Sequence, residues 1–344
     1  MIQVQNIYYM LAYAFQNLLE QGYKDVATED FPNTAELLAA ILCRGVSIQV
    51  KRGLERQYIT TADALCSPRG KIEVSDSIKT LAIRKKQLTC AYDEFSVNSY
   101  SNRIIKTTME TLLRANISKM RKKELRKLLL FFHEVSVLPC CDIQWNLQYS
   151  RNNQTYRMLI EICRLVIQGM LQTNADGITR IMDYLDEQTM PKLYEKFILG
   201  YYQKEHPELK AYSPQIDWQL DDGDKTMLPI MQSDIVLRNR ETRQTLIIDA
   251  KYYTHNMQMK APHMKQTIHS GNLYQIFTYV KNWPSKPNEI VSGMILYART
   301  DDSVQPDSDY QMSGNLISVK TLDLNCKFSD ISEQLDAIAA SISE

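Results

Sequence analysis

Residues 245–253, TLIIDAKYY, constrain the fold of this chain more than any other stretch. The apolar run through Leu246, Ile247 and Ile248 has no polar break, which suits a strand covered on both faces. It closes on Asp249 and Lys251. Side chains alternate along a strand, so these two share one face and Ala250 takes the other. A carboxylate and an ammonium at the end of a buried strand are costly unless they are paired or put to use. The polar stretch RNRETRQ at 238–244 joins this strand to the one before it, MLPIMQSDIVL at 227–237, as a hairpin. That hairpin brings Asp234 toward Asp249.

Two converging carboxylates repel each other, and a bound divalent cation relieves the repulsion. An oxygen-only donor set suits Mg²⁺, which keeps several waters and accepts a substrate phosphate. Asp234 and Asp249 are therefore the candidate metal ligands. The chemistry that follows is phosphodiester hydrolysis. Lys251 is placed to orient the attacking water or to act as a point charge on the transition state. Glu195, on the helix preceding the strands, is an outer ligand or a proton carrier. A D-x-K triplet by itself arises by chance in chains of this length. Here it is the order of acidic helix residue, strand Asp, then D-x-K that carries meaning.

The surrounding pattern predicts an α/β sandwich. Helices are expected at 154–172 and 190–204, the latter with Thr189 as N-cap and Pro191 in its first turn. Strands follow at 211–219, 227–237 and 245–253, then a helix at 271–282, strands at 290–297 and 315–321, and a helix at 329–342. Residues 255–269, with His255, His263 and His269 and the cations Lys260 and Lys265, fit no zinc spacing and read as a flexible loop, either one able to meet a phosphate backbone or a plain surface loop. The first half reads as mixed α+β. Helices are expected at 6–19, 35–47, 99–116 and 121–133, with strands near 57–62, 71–75 and 88–95 and a turn at Ser67-Pro68-Arg69-Gly70. The stretch 137–152 reads as the joint, giving domains 1–150 and 151–344.

Lys plus Arg and Asp plus Glu both number 40, so whole-protein charge makes no case for nucleic acid. The basic run KMRKKELRK at 119–127 reads first as a solvated helix face. Seven cysteines with no CxxC pair argue against a disulfide framework or zinc ribbon and for a reducing cytoplasm. No apolar run of about 18 residues predicts a membrane span.

Several longer motifs carry a resemblance. Asp234 followed by Asp249-Ala250-Lys251 resembles the signature of the PD-(D/E)xK nuclease superfamily, with Ser233 where its literal proline stands. Gln275 and Tyr279 in NLYQIFTYV resemble the Q-x-x-x-Y helix of some of its branches. NIYYMLAYAF at 6–15, RGLERQY at 52–58, PRGKIE at 68–73, NRIIKTTM at 102–109 and IIDAKYY at 247–253 are similar to McrC, the nuclease-subunit family of McrBC modified-cytosine restriction systems.

The resemblance implies more than spacing does. It implies an N-terminal domain that docks on an McrB-like AAA+ GTPase hexamer and stimulates it, followed by a PD-(D/E)xK endonuclease domain. The substrate would be double-stranded DNA containing modified cytosine such as 5-methylcytosine, with Asp234, Asp249 and Lys251 catalytic and Glu195 and Gln275 supporting. No GxxxxGK[ST] loop occurs, since Gly70-Lys71 runs into Ile72, so a nucleotide-driven motor is expected on another chain. Two rivals stand beside this. One is a regulatory activator of an AAA+ ring with a vestigial nuclease site; the other is an unrelated metal-dependent hydrolase of small phosphate esters.

Overall fold

A computed structural model describes residues 2–15, 31–149, 154–173, 190–260 and 265–343, with the single positions 18, 23, 26 and 29. In chain order its first elements are α1 (Val4–Ala14), α2 (Thr34–Arg52), β1 (Gln57–Leu65), β2 (Lys71–Ile72), α3 (Val74–Lys79) and β3 (Leu88–Ser96). Next come α4 (Tyr100–Arg114), α5 (Lys119–Leu129), α6 (Gln154–Thr173) and α7 (Met190–Glu205). The short strands β4 (Gln215–Ile216) and β5 (Met231–Gln232) lead into β6 (Ile235–Asn239) and β7 (Gln244–Lys251). The hairpin strands β8 (Met257–Lys260) and β9 (Lys265–Ile268) precede α8 (Ser270–Asn282). The chain closes with β10 (Ile290–Ala298), β11 (Ser308–Met312), β12 (Asn315–Leu322) and α9 (Phe328–Ala340).

Two compact units result. One combines residues 1–37 with 176–344; the other is 38–175. The division therefore differs from the break expected at 150/151. Two helices set it: α1 packs on α7 rather than staying with the residues that follow it, and α6 packs on α4, where the Tyr156 hydroxyl donates to Asn102 Oδ1 at 3.0 Å. Tyr13 of α1 donates to Glu205 Oε1 at 2.9 Å, and the rings of Tyr9 and Phe328 stack 4.1 Å apart. Thr189 lies outside the described residues.

The unit of residues 38–175 holds a three-stranded antiparallel sheet, order β1-β3-β2, and the helices α4, α5 and α6. Ser99 and Ser118 cap α4 and α5, each accepting from the backbone N–H three residues on. Gly70 has φ +69°, and a Cβ there would meet the Ala91 carbonyl oxygen at 2.4 Å, so the expected turn requires glycine. The strand expected at 71–75 stops at Ile72, because the chain turns into α3 and the buried Ser77 Oγ accepts the Thr89 N–H at 2.7 Å. In α5 only Arg121 and Leu125 are buried, and Arg121 pairs with Glu124 at 2.8 Å. Exposed positions 119, 123, 126 and 127 leave the basic run on a solvated face, as its pattern implies.

The other unit is an α/β sandwich around a five-stranded sheet, order β11-β12-β10-β7-β6. β10 runs parallel to both β7 and β12, while β6 and β11 are antiparallel to their neighbours. Parallel neighbours need a crossover, and α8 supplies the one between β7 and β10. Ile276, Tyr279, Val280 and Trp283 of this segment pack on Ile247, Val291, Ile295, Ile317 and Val319 of the sheet. On the other face Tyr202 of α7 donates to the Leu335 carbonyl of α9 at 3.0 Å. Both faces of β7 are thus covered, and Leu246 through Ala250 are all buried, as the continuous apolar run predicts.

Three local expectations change. The strands expected at 211–219 and 227–237 are short pieces, because the buried Ser233 bonds to the Pro214 carbonyl instead of continuing a ladder. The stretch 255–269 is not a plain loop: β8 and β9 pair antiparallel within it, and buried Asn256 anchors its base by donating to the Ala298 carbonyl at 2.7 Å. His263 falls outside the described residues. β11 (SDYQM) has no continuous apolar run; its alternation turns Tyr310 and Met312 onto the core and Asp309 and Gln311 outward, a short edge-strand pattern that the expected strands do not include.

Candidate active site

The β6–β7 register pairs Ile235 with Ile248. One step further the same register sets Asp234 opposite Asp249. The hairpin geometry expected from sequence is therefore the geometry found. Asp234 Oδ2 accepts the Ala250 backbone N–H at 2.9 Å, which fixes its carboxylate across the end of β7. Lys251 Nζ donates to Asp249 Oδ1 at 2.8 Å. Asp249 is fully buried; its second oxygen, Oδ2, receives no hydrogen bond from a donor among the described residues, while the Asp249 and Asp234 carboxyls lie within hydrogen-bond reach of each other.

The electrostatics follow from burial. Burial pushes the Asp249 carboxyl up to about 7; Lys251 pulls it down and Asp234 adds to the rise. Burial also raises Asp234, against the pull of Lys251 and the Ala250 N–H. For Lys251, burial works against the charge, but Asp249 and Asp234 outweigh it and hold the ammonium above its ordinary value. Glu195, half-buried on α7, is pushed up to about 7 by burial and then by Asp234, with Lys251 the largest opposing charge. The structure thus brings Asp234, Asp249, Lys251 and Glu195 into one electrostatic group.

The donor set fits a hard dication. No three His, Cys, Asp or Glu side chains among the described residues gather closely enough to cage a metal alone. The orphaned Asp249 Oδ2 beside Asp234 offers two carboxylates and no soft ligand. Asp234 and Asp249 would hold a Mg²⁺ ion, which typically takes only one or two carboxylates from the protein.

The profile of the McrBC 5-methylcytosine restriction system component family matches residues 3–298. This chain belongs to that family. It is 28% identical over 344 residues, 97% of the chain and 96% of the relative, to the type IV methyl-directed restriction enzyme EcoKMcrBC of Escherichia coli K12. It is also similar to a chain in the half-complex from a tetradecameric assembly of Thermococcus gammatolerans McrB AAA+ hexamers with bound McrC: TM-score 0.46, 18% identity, 95% of this chain and 75% of that one. The T. gammatolerans McrBC complex gives TM-score 0.40 at 19% identity, covering 58% of each chain.

Within this McrBC-family chain, Gln275 reaches the site indirectly. Its Nε2 donates to the Tyr279 hydroxyl at 2.8 Å, and that hydroxyl donates to the Gln232 carbonyl at 3.0 Å, two residues before Asp234. Tyr279→Phe removes both part-buried bonds, and an ordinary hydrogen bond is worth about 0.5–1.5 kcal/mol net. A melting curve is expected to shift down by about 2–4 °C per kcal/mol; an unchanged curve would remove this tie to Asp234.

Sequence reasoning missed Asn272, Tyr253 and Tyr297. Asn272 donates to the Tyr297 hydroxyl at 2.8 Å and accepts from the Tyr253 hydroxyl at 3.2 Å. The available signal was spacing: Asn272, Gln275 and Tyr279 recur at helical intervals on one side of α8. Among the described residues no helix is long and apolar enough to cross a membrane, and all seven cysteines are free.

Proposed function

We propose that this restriction-system component is the DNA-cutting subunit of a modification-dependent restriction complex, hydrolysing phosphodiester bonds with Mg²⁺ and working with an McrB-like AAA+ GTPase on DNA containing 5-methylcytosine. The observation that carries the proposal is the orphaned Asp249 Oδ2, buried beside Asp234 while Lys251 occupies Oδ1. A buried carboxylate oxygen without a donor is expensive; in the metal-free chain a proton on Asp249 hydrogen-bonded to Asp234 relieves it, and a divalent cation would take that proton's place. The partner and the modified base rest on family membership and on what the E. coli relative is named for.

Asp234 and Asp249 hold the dication, Asp234 kept in place by the Ala250 N–H. The ion, when bound, lowers the pKa of a bound water and neutralises charge on the phosphoryl oxygens. Lys251 stays protonated, because the two carboxylates hold its ammonium above the ordinary value. It acts as a fixed positive charge beside the reacting phosphate rather than as a base. Glu195, poised at about 7, takes up or gives up a proton near neutral pH.

The test combines the full chain with its AAA+ partner, GTP and Mg²⁺ on methylated and unmethylated duplex DNA. Methylated DNA alone is expected to be cut, and EDTA is expected to stop cutting. Hydrolysis of small phosphate esters by the chain alone, with no effect of partner or methylation, would replace this reading with a metabolic hydrolase.

A further inference from the structure

The first turn of α8 places an amide where two tyrosines of the active strand region meet. Asn272 is 7% exposed. Its Nδ2 donates to Tyr297 and its Oδ1 accepts from Tyr253, at 2.8 and 3.2 Å. Tyr297 is fully buried on β10 and is the register partner of Lys251 on β7. Tyr253 stands two residues past Lys251, its ring centroid 6.1 Å from that of Tyr297 and 5.3 Å from that of His269. Both phenols lie close enough to Lys251 to interact electrostatically with it. The lysine stem therefore leaves β7 beside a wall of two rings held by one amide.

We propose that Asn272 is a positioning residue for Lys251: by tying Tyr253 to Tyr297 it holds the wall that keeps Nζ on Asp249 Oδ1 and leaves Oδ2 open. The inference rests on the nuclease reading above. A lysine has a flexible four-carbon stem, and without a wall its ammonium is free to turn toward Asp234 as well. An amide suits this position because it donates and accepts at once; a carboxylate cannot donate and an aliphatic side chain does neither. None of the three residues belongs to the D-x-K or Q-x-x-x-Y motifs, so the role is separate from theirs.

The test uses Asn272→Ala, Tyr297→Phe and Tyr253→Phe in the full chain with its GTPase partner. kcat for cleavage is expected to fall about ten- to a hundredfold for the first two, the range seen when outer partners of a site are removed. KM for DNA and Mg²⁺ affinity, the latter measured by calorimetry on the chain alone, are expected to stay at wild-type values. The double variant Asn272→Ala/Tyr297→Phe is expected to be no slower than the slower single, since Asn272→Ala already breaks the bond that Tyr297→Phe removes. Tyr253→Phe removes only a partly exposed hydroxyl and leaves the core intact; its kcat is expected to fall in the same direction by a smaller factor. Wild-type kcat in both phenylalanine variants overturns the proposal. So does a fall in Mg²⁺ affinity that accounts for the lost rate, which would place the effect on the carboxylates. A wild-type chain that does not cut overturns the nuclease reading itself; a cutting wild type with unaffected variants overturns the role of Asn272 alone.

Discussion

Asp249→Ala is expected to abolish DNA cleavage while leaving binding of the AAA+ partner and stimulation of GTP turnover at wild-type levels. Asp249 is fully buried, supplies the unpartnered Oδ2 and fixes Lys251 through Oδ1. Its loss removes one of the two carboxylates proposed to hold the metal and the anchor of the positive charge together. Metal-assisted charge stabilisation is worth several kcal/mol, and about 4 kcal/mol is about a thousandfold in rate. Gel assays of cleavage and a separate phosphate-release assay check the two halves. Cutting retained by the variant would leave a regulatory subunit with a vestigial site as the surviving reading.

The same residue sets a pH dependence in the metal-free chain. Burial raises the folded Asp249 carboxyl to about 7, while an unfolded aspartate titrates near ~3.9. Between those values the folded state holds a proton that the unfolded chain has released. The contribution of this group to stability is therefore greatest at the acidic end and declines as pH rises toward about 7. Asp249→Asn cannot ionise and is expected to flatten that decline in thermal melts. At pH 8, Mg²⁺ is expected to raise the melting temperature of the wild type and not of Asp249→Ala, because a ligand that binds only the folded state stabilises it.

Gly200→Ala is expected to be the most destabilising single-methyl change in the α/β unit. A Cβ at Gly200 of α7 would lie 2.1 Å from the Tyr13 carbonyl oxygen and 2.8 Å from its carbonyl carbon. Both are backbone atoms of α1 and cannot rotate away, so the helices must separate. Separation strains the Tyr13 bond to Glu205 and the packing of Tyr13 against Tyr201 and Phe328. Overpacking of this kind costs about 1–3 kcal/mol or more, and each kcal/mol lowers the melting temperature by about 2–4 °C in a unit of this size. Gly271→Ala on α8 is the control, since a Cβ there meets nothing within 4 Å. Equal melting temperatures for the two variants would show that α1 does not depend on a close approach to α7.

What the sequence determined by itself is the part governed by local rules. An uninterrupted apolar run before D-x-K can only be a covered strand with two charges on one face, so β7, its hairpin with β6 and the meeting of Asp234, Asp249 and Lys251 were legible from alternation and turn chemistry. The helical periodicity of α4, α6, α7, α8 and α9 was legible for the same reason. Tertiary structure alone decided which distant segments share a core. α1 belongs with α7 because Gly200 admits its backbone, and no pattern within residues 4–14 names that partner. The edge strand β11 forms where β12 offers a ladder and the core receives Tyr310 and Met312. Helical spacing put Asn272 on the same side of α8 as Gln275 and Tyr279, but only the packing of α8 on β10 showed that its amide meets Tyr297, 25 residues away.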